Sequence, residues 1–189
     1  MRWFHGLLIA FIASVLVGCA TVPSEPGDVH VLKQREGRFS VQTQAPNEAD
    51  QAVQGSFAWR RLTSGWQLDL KSPLGATLAR LTVSAGGATL EQPDAPARRA
   101  QSGQELLASV LGASVPLNVF EDWMDGRVVD DSKVTRIERD AQNRIVSFVE
   151  SGWQVKFDRY GDSGPTRVSV QGSQAGRSVI LRLVLEQPV

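Results

Sequence analysis

The sequence predicts an α+β fold, a curved antiparallel sheet covered by helices. Three observations predict it. About ten short runs alternate apolar and polar residues, the mark of half-buried strands. The turns between these runs are short, so neighbouring strands pair antiparallel. The alternation is interrupted once, by a block of helical spacing near the middle of the chain. No internal repeat or low-complexity segment is present.

Residues 1–18 read as a leader. Arg2 is the single early charge, and an apolar run follows from Leu7 to Val17. A basic start and a run of this length mark a secretory signal peptide. The run is too short to cross a hydrocarbon core, which needs about 20 helical residues. It closes on Leu16-Val17-Gly18-Cys19, which resembles the bacterial lipobox. That resemblance implies cleavage after Gly18 and acylation of Cys19, the only cysteine in the chain. One acyl chain anchors marginally and two or more anchor stably, so a lipoprotein stays on its membrane. In the same pattern an aspartate after the cysteine retains a protein in the inner membrane, and Ala20 stands there instead. The implied location is the outer membrane, with the domain facing the periplasm. Residues 19–28, with Pro23, Pro26 and Gly27, form a flexible tether, and 29–189 form one folded domain. Val29 to Arg35 are expected to add a short helix.

Phe39 and Val41 open the strand pattern. Val53, Gly55, Phe57 and Trp59 share one face, and Trp66, Leu68 and Leu70 alternate with Gln67, Asp69 and Lys71. Ala79, Leu81 and Val83 continue the series, followed by a run around Ala88-Thr89-Leu90. The helical block begins at Ser102, three residues ahead of Glu105 at capping-box spacing. Leu106, Leu107, Val110 and Leu111 recur at helical intervals before Gly112 stops the turn. A second helix starts near Leu117 and carries Phe120, Trp123 and Met124 on one side before Gly126. Strands resume with Trp153, Val155 and Phe157, then Val168 and Val170, then Val179 to Leu185. Segments 133–139 and 144–150 are strands whose register the pattern leaves open. Such a sheet has one concave apolar face: filled by the helices it is a core, loosely covered it is a pocket.

Formal net charge is zero and no basic cluster is present, which argues against nucleic-acid binding. Arg38, Arg60 and Arg80 are too scattered in sequence to mark a patch. His30 lies by the tether, away from any strand end where a catalytic triad assembles. Asp122 and Asp125, with Glu121, read as a solvated helix face. No His/Cys cluster offers a metal site and no glycine-rich loop cradles phosphate. The chain reads as no enzyme, with no cofactor and no metal, and as a monomer.

Ser72-Pro73-Leu74-Gly75 is out of place between two strands. Pro73 sets φ at the first central position of a turn and Gly75 tolerates positive φ. Leu74 then sits at a hairpin tip, where exposure forgoes roughly 1.5–3 kcal/mol of burial. Either it folds back onto its own sheet or it serves a purpose outside it.

Gly37-Arg38-Phe39, Gly55-x-Phe57-x-Trp59, the Ser72-Pro73-Leu74-Gly75 turn and Pro116-Leu117-x-x-Phe120-x-x-Trp123-x-x-Gly126 occur in this order in the LolB family, which the mature chain resembles over nearly its whole length. Phe120 stands where that family often has leucine. LolB is the outer-membrane lipoprotein that receives other lipoproteins in Gram-negative bacteria. The resemblance implies an unclosed β-barrel with a helical lid over an apolar cavity. It also implies three partners: a LolA-like periplasmic carrier, acylated lipoprotein cargo and outer-membrane phospholipid. The family's membrane-insertion loop falls on Pro73, Leu74 and Gly75. Candidates for lining the acyl-chain cavity are Trp59, Trp66, Leu68, Leu70, Leu81 and Trp153, each of which is otherwise ordinary core. The competing reading is a structural or assembly lipoprotein of the outer membrane, with a filled core.

Overall fold

The structure is a computed structural model and describes residues 30–187 apart from 47, 129, 130 and 175. The leader, Cys19 and the 19–28 tether lie outside the described residues.

Eleven strands form one sheet among the described residues, ordered β6-β5-β4-β3-β2-β1-β11-β10-β9-β8-β7. One meander runs β1 (Val31–Gln44), β2 (Gln51–Leu62), β3 (Gly65–Lys71), β4 (Thr77–Ser84), β5 (Gly87–Gln92) and β6 (Ala95–Ala100). A second runs β7 (Val134–Arg139), β8 (Ile145–Glu150), β9 (Trp153–Gly161), β10 (Gly164–Gln174) and β11 (Arg177–Leu185). They join through antiparallel β1 and β11, with Phe39 opposite Leu183 and Val41 opposite Leu181. The sheet stays open between β6 and β7. Both edges are short and carry charge: β6 holds Pro96, Arg98 and Arg99, and β7 holds Arg136, Glu138 and Arg139 beside the exposed Ile137. Charge and proline on an edge discourage pairing with another chain.

The helices α1 (Gly103–Leu111) and α2 (Leu117–Met124) fill the connection between the two edges. Ser102 caps α1, its hydroxyl accepting from the Gln104 N–H at 3.2 Å, one residue before the position a capping box uses. Gly112 closes it in the left-handed region, where glycine carries no Cβ penalty. Helix α1 packs on β4 to β6 and α2 reaches β10. The two helices thus lie over one face of the sheet, from its β4–β6 side to β10. Its inner residues join Leu106, Leu107, Val119, Phe120, Trp123 and Met124 in one continuous core.

One sequence expectation needs correction, and two features lie beyond what the pattern shows. Residues 31–35 are strand, not helix: Arg35 pairs with Trp59 and Lys33 with Arg61, so β1 is a long partner of β2. Strand β6 was not foreseen, since Ala-Pro-Ala-Arg-Arg-Ala shows no alternation. Between β7 and β8 the register shifts at Thr135–Glu138, where Arg136 takes φ 55, and this irregularity is what leaves the pattern unreadable.

Candidate functional site: an apolar interior and an exposed loop

Between the inner face of the sheet and the two helices lies a small apolar cavity, partly open to the outside. Its walls are Phe39 of β1, Phe57 of β2, Leu68 and Leu70 of β3, and Leu181 and Leu183 of β11, roofed by Leu107, Leu111, Val115, Leu117 and Phe120. The volume is about 30 Å³, on the order of one water molecule's share of liquid. In this conformation helix side chains, Leu107, Leu111 and Phe120 among them, occupy most of the space above these strands.

Of the six residues singled out from sequence, Leu68 and Leu70 line this cavity. Trp59, Leu81 and Trp153 are buried in the surrounding core without lining it, and Trp66 is half-buried against it. Trp153 is spoken for by Gly172, where an added Cβ would lie 2.5 Å from the indole ring. The helix leucines and Phe39 also line the cavity, which sequence alone does not show. Their periodicity was legible, but which strand a helix faces is a long-range fact.

The two helices are held differently. Asp125, at the end of α2, has a side chain only 5% exposed and meets Lys33, Arg35 (2.8 Å) and Arg127 (2.8 Å). Glu121 meets Lys33 at 3.3 Å and also Arg61. The expected solvated face is instead an ion network tying α2 to β1 and β2. Burial pushes the Asp125 carboxyl up, but hydrogen bonds and charge from Lys33 and Arg35 outweigh it and hold it below the ordinary aspartate value. Deeper in, the Trp123 Nε1–H donates to Glu150 Oε2 at 2.7 Å, with Glu150 2% exposed. Trp123 also meets Phe148 edge-on at 6.4 Å. Helix α1 has no such ion pair among the described residues. Its buried face is Leu106, Leu107 and Leu111, and its polar ties are Gln104 to Ser114 (2.7 Å) and Arg98 to Ser109.

The 72–76 loop is built to project. Gly75 N–H donates to the Ser72 carbonyl (2.9 Å) and Ser72 N–H to the Ala76 carbonyl (2.7 Å). The Ser72 hydroxyl accepts from Ala76 N–H at 3.2 Å, and Gly75 holds φ 85. Leu74, at the tip, is 97% exposed. It does not fold back onto the sheet. Gly55 explains the neighbourhood: a Cβ there would collide with the Lys71 carbonyl, so only glycine lets β2 pass where β3 ends and the loop begins.

An open antiparallel sheet packed against two helices, with an apolar loop turned outward, defines the class of fold. Residues 34–187 match the family model described as "Outer membrane lipoprotein LolB". The chain is 39% identical to "Outer-membrane lipoprotein LolB" of Bordetella petrii, covering 97% of this chain and 93% of that protein. It is 35% identical to the protein of that name from Bordetella pertussis, over 100% of this chain and 95% of that protein. For the one from Ralstonia nicotianae the identity is 33%, over 99% and 88%. The chain belongs to the LolB family of outer-membrane lipoproteins. A LolA superfamily protein from Nitrosomonas europaea aligns at 10% identity and a TM-score of 0.40, over 82% of this chain and 88% of that one. No described helix is long and apolar enough to cross a membrane.

Proposed function

We propose that this protein is an outer-membrane receptor that accepts lipoproteins from a LolA-like periplasmic carrier, holds their acyl chains inside the curved sheet, and inserts them into the outer membrane. Cys19 is its own acylated residue, residues 19–28 are the tether, and 29–189 act as a monomeric lipoprotein-binding domain. Pro73, Leu74 and Gly75 form the loop that enters the bilayer. The observation that carries this is Leu74, 97% exposed at the tip of a turn held by three hydrogen bonds, on a sheet whose small inner cavity is lined by apolar side chains.

Acyl chains in water are costly, so a carrier buries them at every step, and direction comes from differences in affinity between successive hosts. The described conformation is closed. Opening falls to α1: apolar contacts are non-directional, so an acyl chain can replace what Leu107 and Leu111 give up. Moving α2 would instead break its ion network and strand Glu150. Trp59, Trp66, Leu81 and Trp153 then frame the opened space from the core around it.

A filled interior is also what a scaffolding lipoprotein would have, and transfer separates the two. LolA carrying a radiolabelled lipoprotein is mixed with a soluble form of the domain lacking Cys19, then with outer-membrane-like liposomes. Label passing from carrier to domain to lipid supports the receptor; label remaining on LolA supports the scaffold.

A further inference from the structure

The outer face of the sheet beside the loop holds a charge arrangement that sequence order hides. Arg60 (2.7 Å) and Arg80 (2.6 Å) both bind Asp69. Arg38 has no hydrogen bond or ion pair among the described residues, and Arg182 donates only to Gln42, at 2.9 Å. Strand register places Arg38 opposite Val184 and Ser40 opposite Arg182. The two arginines are thus diagonal neighbours on one face, roughly 7–8 Å apart at their bases. Arg167, opposite Val184, and Lys71, opposite Ser56, extend the Arg38 row on either side. Neither is ion-paired among the described residues. Glu36 and Glu186 lie one row further from the loop, where Glu36 accepts from Gln34 at 2.5 Å.

Arg38 and Arg182 line an open groove of about 640 Å³ whose rim is Pro73 and Gly75 of the loop. Val184, 46% exposed, adds an apolar patch to its floor. Two unneutralised guanidiniums in a groove suit a phosphate, which an arginine fork grips through paired hydrogen bonds. An apolar tip beside cations is the pattern of a segment that lies at a lipid interface, leucine in the acyl boundary and charge at the headgroups.

We infer that this groove binds the phosphate headgroup of a membrane phospholipid, with Arg38 and Arg182 as its cationic ligands, and so orients the domain as Leu74 enters the bilayer. The inference rests on the loop meeting the membrane. It adds a headgroup site and a preference for anionic lipid.

The test uses the full lipidated chain, reconstituted in vesicles rich in phosphatidylglycerol or made of phosphatidylcholine alone. A polarity-sensitive fluorophore on Ala76→Cys, an exposed position that bonds only through its backbone, reports whether the loop is docked. The expected result is tighter docking on the anionic vesicles, weakened by salt. In Arg38→Ala, Arg182→Ala and the double variant, the docked-to-undocked ratio on anionic vesicles falls about five-fold per arginine removed. Both side chains are exposed, so folding should be unaffected, and unchanged circular dichroism checks this. Docking equal on both compositions, or unchanged in the double variant, overturns the headgroup site. If the double variant docks normally but accepts cargo from its carrier less well, the arginines face an acidic protein instead, and the inference also fails. Leu74→Glu is the separate control. Lost docking there on both vesicle types upholds the membrane loop whatever the arginines do, and its absence removes the loop itself.

Discussion

Replacing Leu74 by glutamate separates delivery from folding and from cargo uptake. Leu74 is 97% exposed and touches no part of the core, so the variant should lie within about 0.5 kcal/mol of the parent in stability. Acceptance of cargo from the carrier should also be unchanged, because Leu74 does not line the interior cavity. Insertion is different. A leucine moved from water into an apolar phase contributes roughly 1.5–3 kcal/mol, which corresponds to about 10- to 100-fold in partitioning. Glutamate forfeits that and adds a charge repelled by anionic lipid. The assay preloads the soluble domain with labelled lipoprotein and follows its appearance in liposomes by flotation. A folded, loaded variant that inserts at the parental rate would remove Leu74 from the mechanism.

Two further outcomes follow from how α2 is fastened. Asp125→Asn weakens the network with Lys33 and Arg35, and at neutral pH should cost about 2 kcal/mol, the buried-pair figure discounted because both partners are partly solvated. Since the folded Asp125 pKa is held low, the stabilisation is whole above the unfolded value of about 3.9 and is lost as pH falls through the folded value. Denaturant midpoints of parent and variant should therefore converge in acid, and a constant gap from pH 7 downward would contradict the assignment. Trp123→Phe leaves the buried Glu150 without its indole donor and should cost roughly 2–3 kcal/mol. Adding Glu150→Leu should recover part of that loss, and a double variant no better than the single would mean that the Trp123–Glu150 hydrogen bond is not what matters.

What could be read from sequence was local. Alternation locates β2 to β5 and β9 to β11, because each strand buries one face and solvates the other. Ser102 and Gly112 mark the ends of α1 because capping is a matter of two or three neighbouring residues. Leu74 could be singled out, since a hairpin tip has a preferred chemistry, though its full exposure could not. The rest depends on partners far apart in the chain. Asp69 and Glu150 are buried carboxylates that their own strands do not explain, one neutralised by Arg60 and Arg80, the other bonded to Trp123. Lys33 and Arg35 look helical in isolation and become strand because β2 pairs with them and α2 supplies carboxylates 88 to 92 residues away. Arg38 and Arg182 become neighbours only through the β1–β11 seam. Alternation alone does not say whether the concave face is pocket or core, since that depends on how closely the helices pack on it; in the described conformation they pack closely.

The central claim is that this filled interior can open to hold acyl chains, and uptake of an apolar fluorescent probe tests it most directly. The soluble domain is titrated with an environment-sensitive apolar dye, and emission is followed with and without a competing fatty acyl chain. The account predicts saturable binding, displaced by the acyl chain and weakened when Leu68 or Leu70 is exchanged for a polar residue in a variant that still folds. Absence of saturable binding by a well-folded domain would contradict it, leaving a solid core and a lipoprotein that scaffolds without carrying cargo.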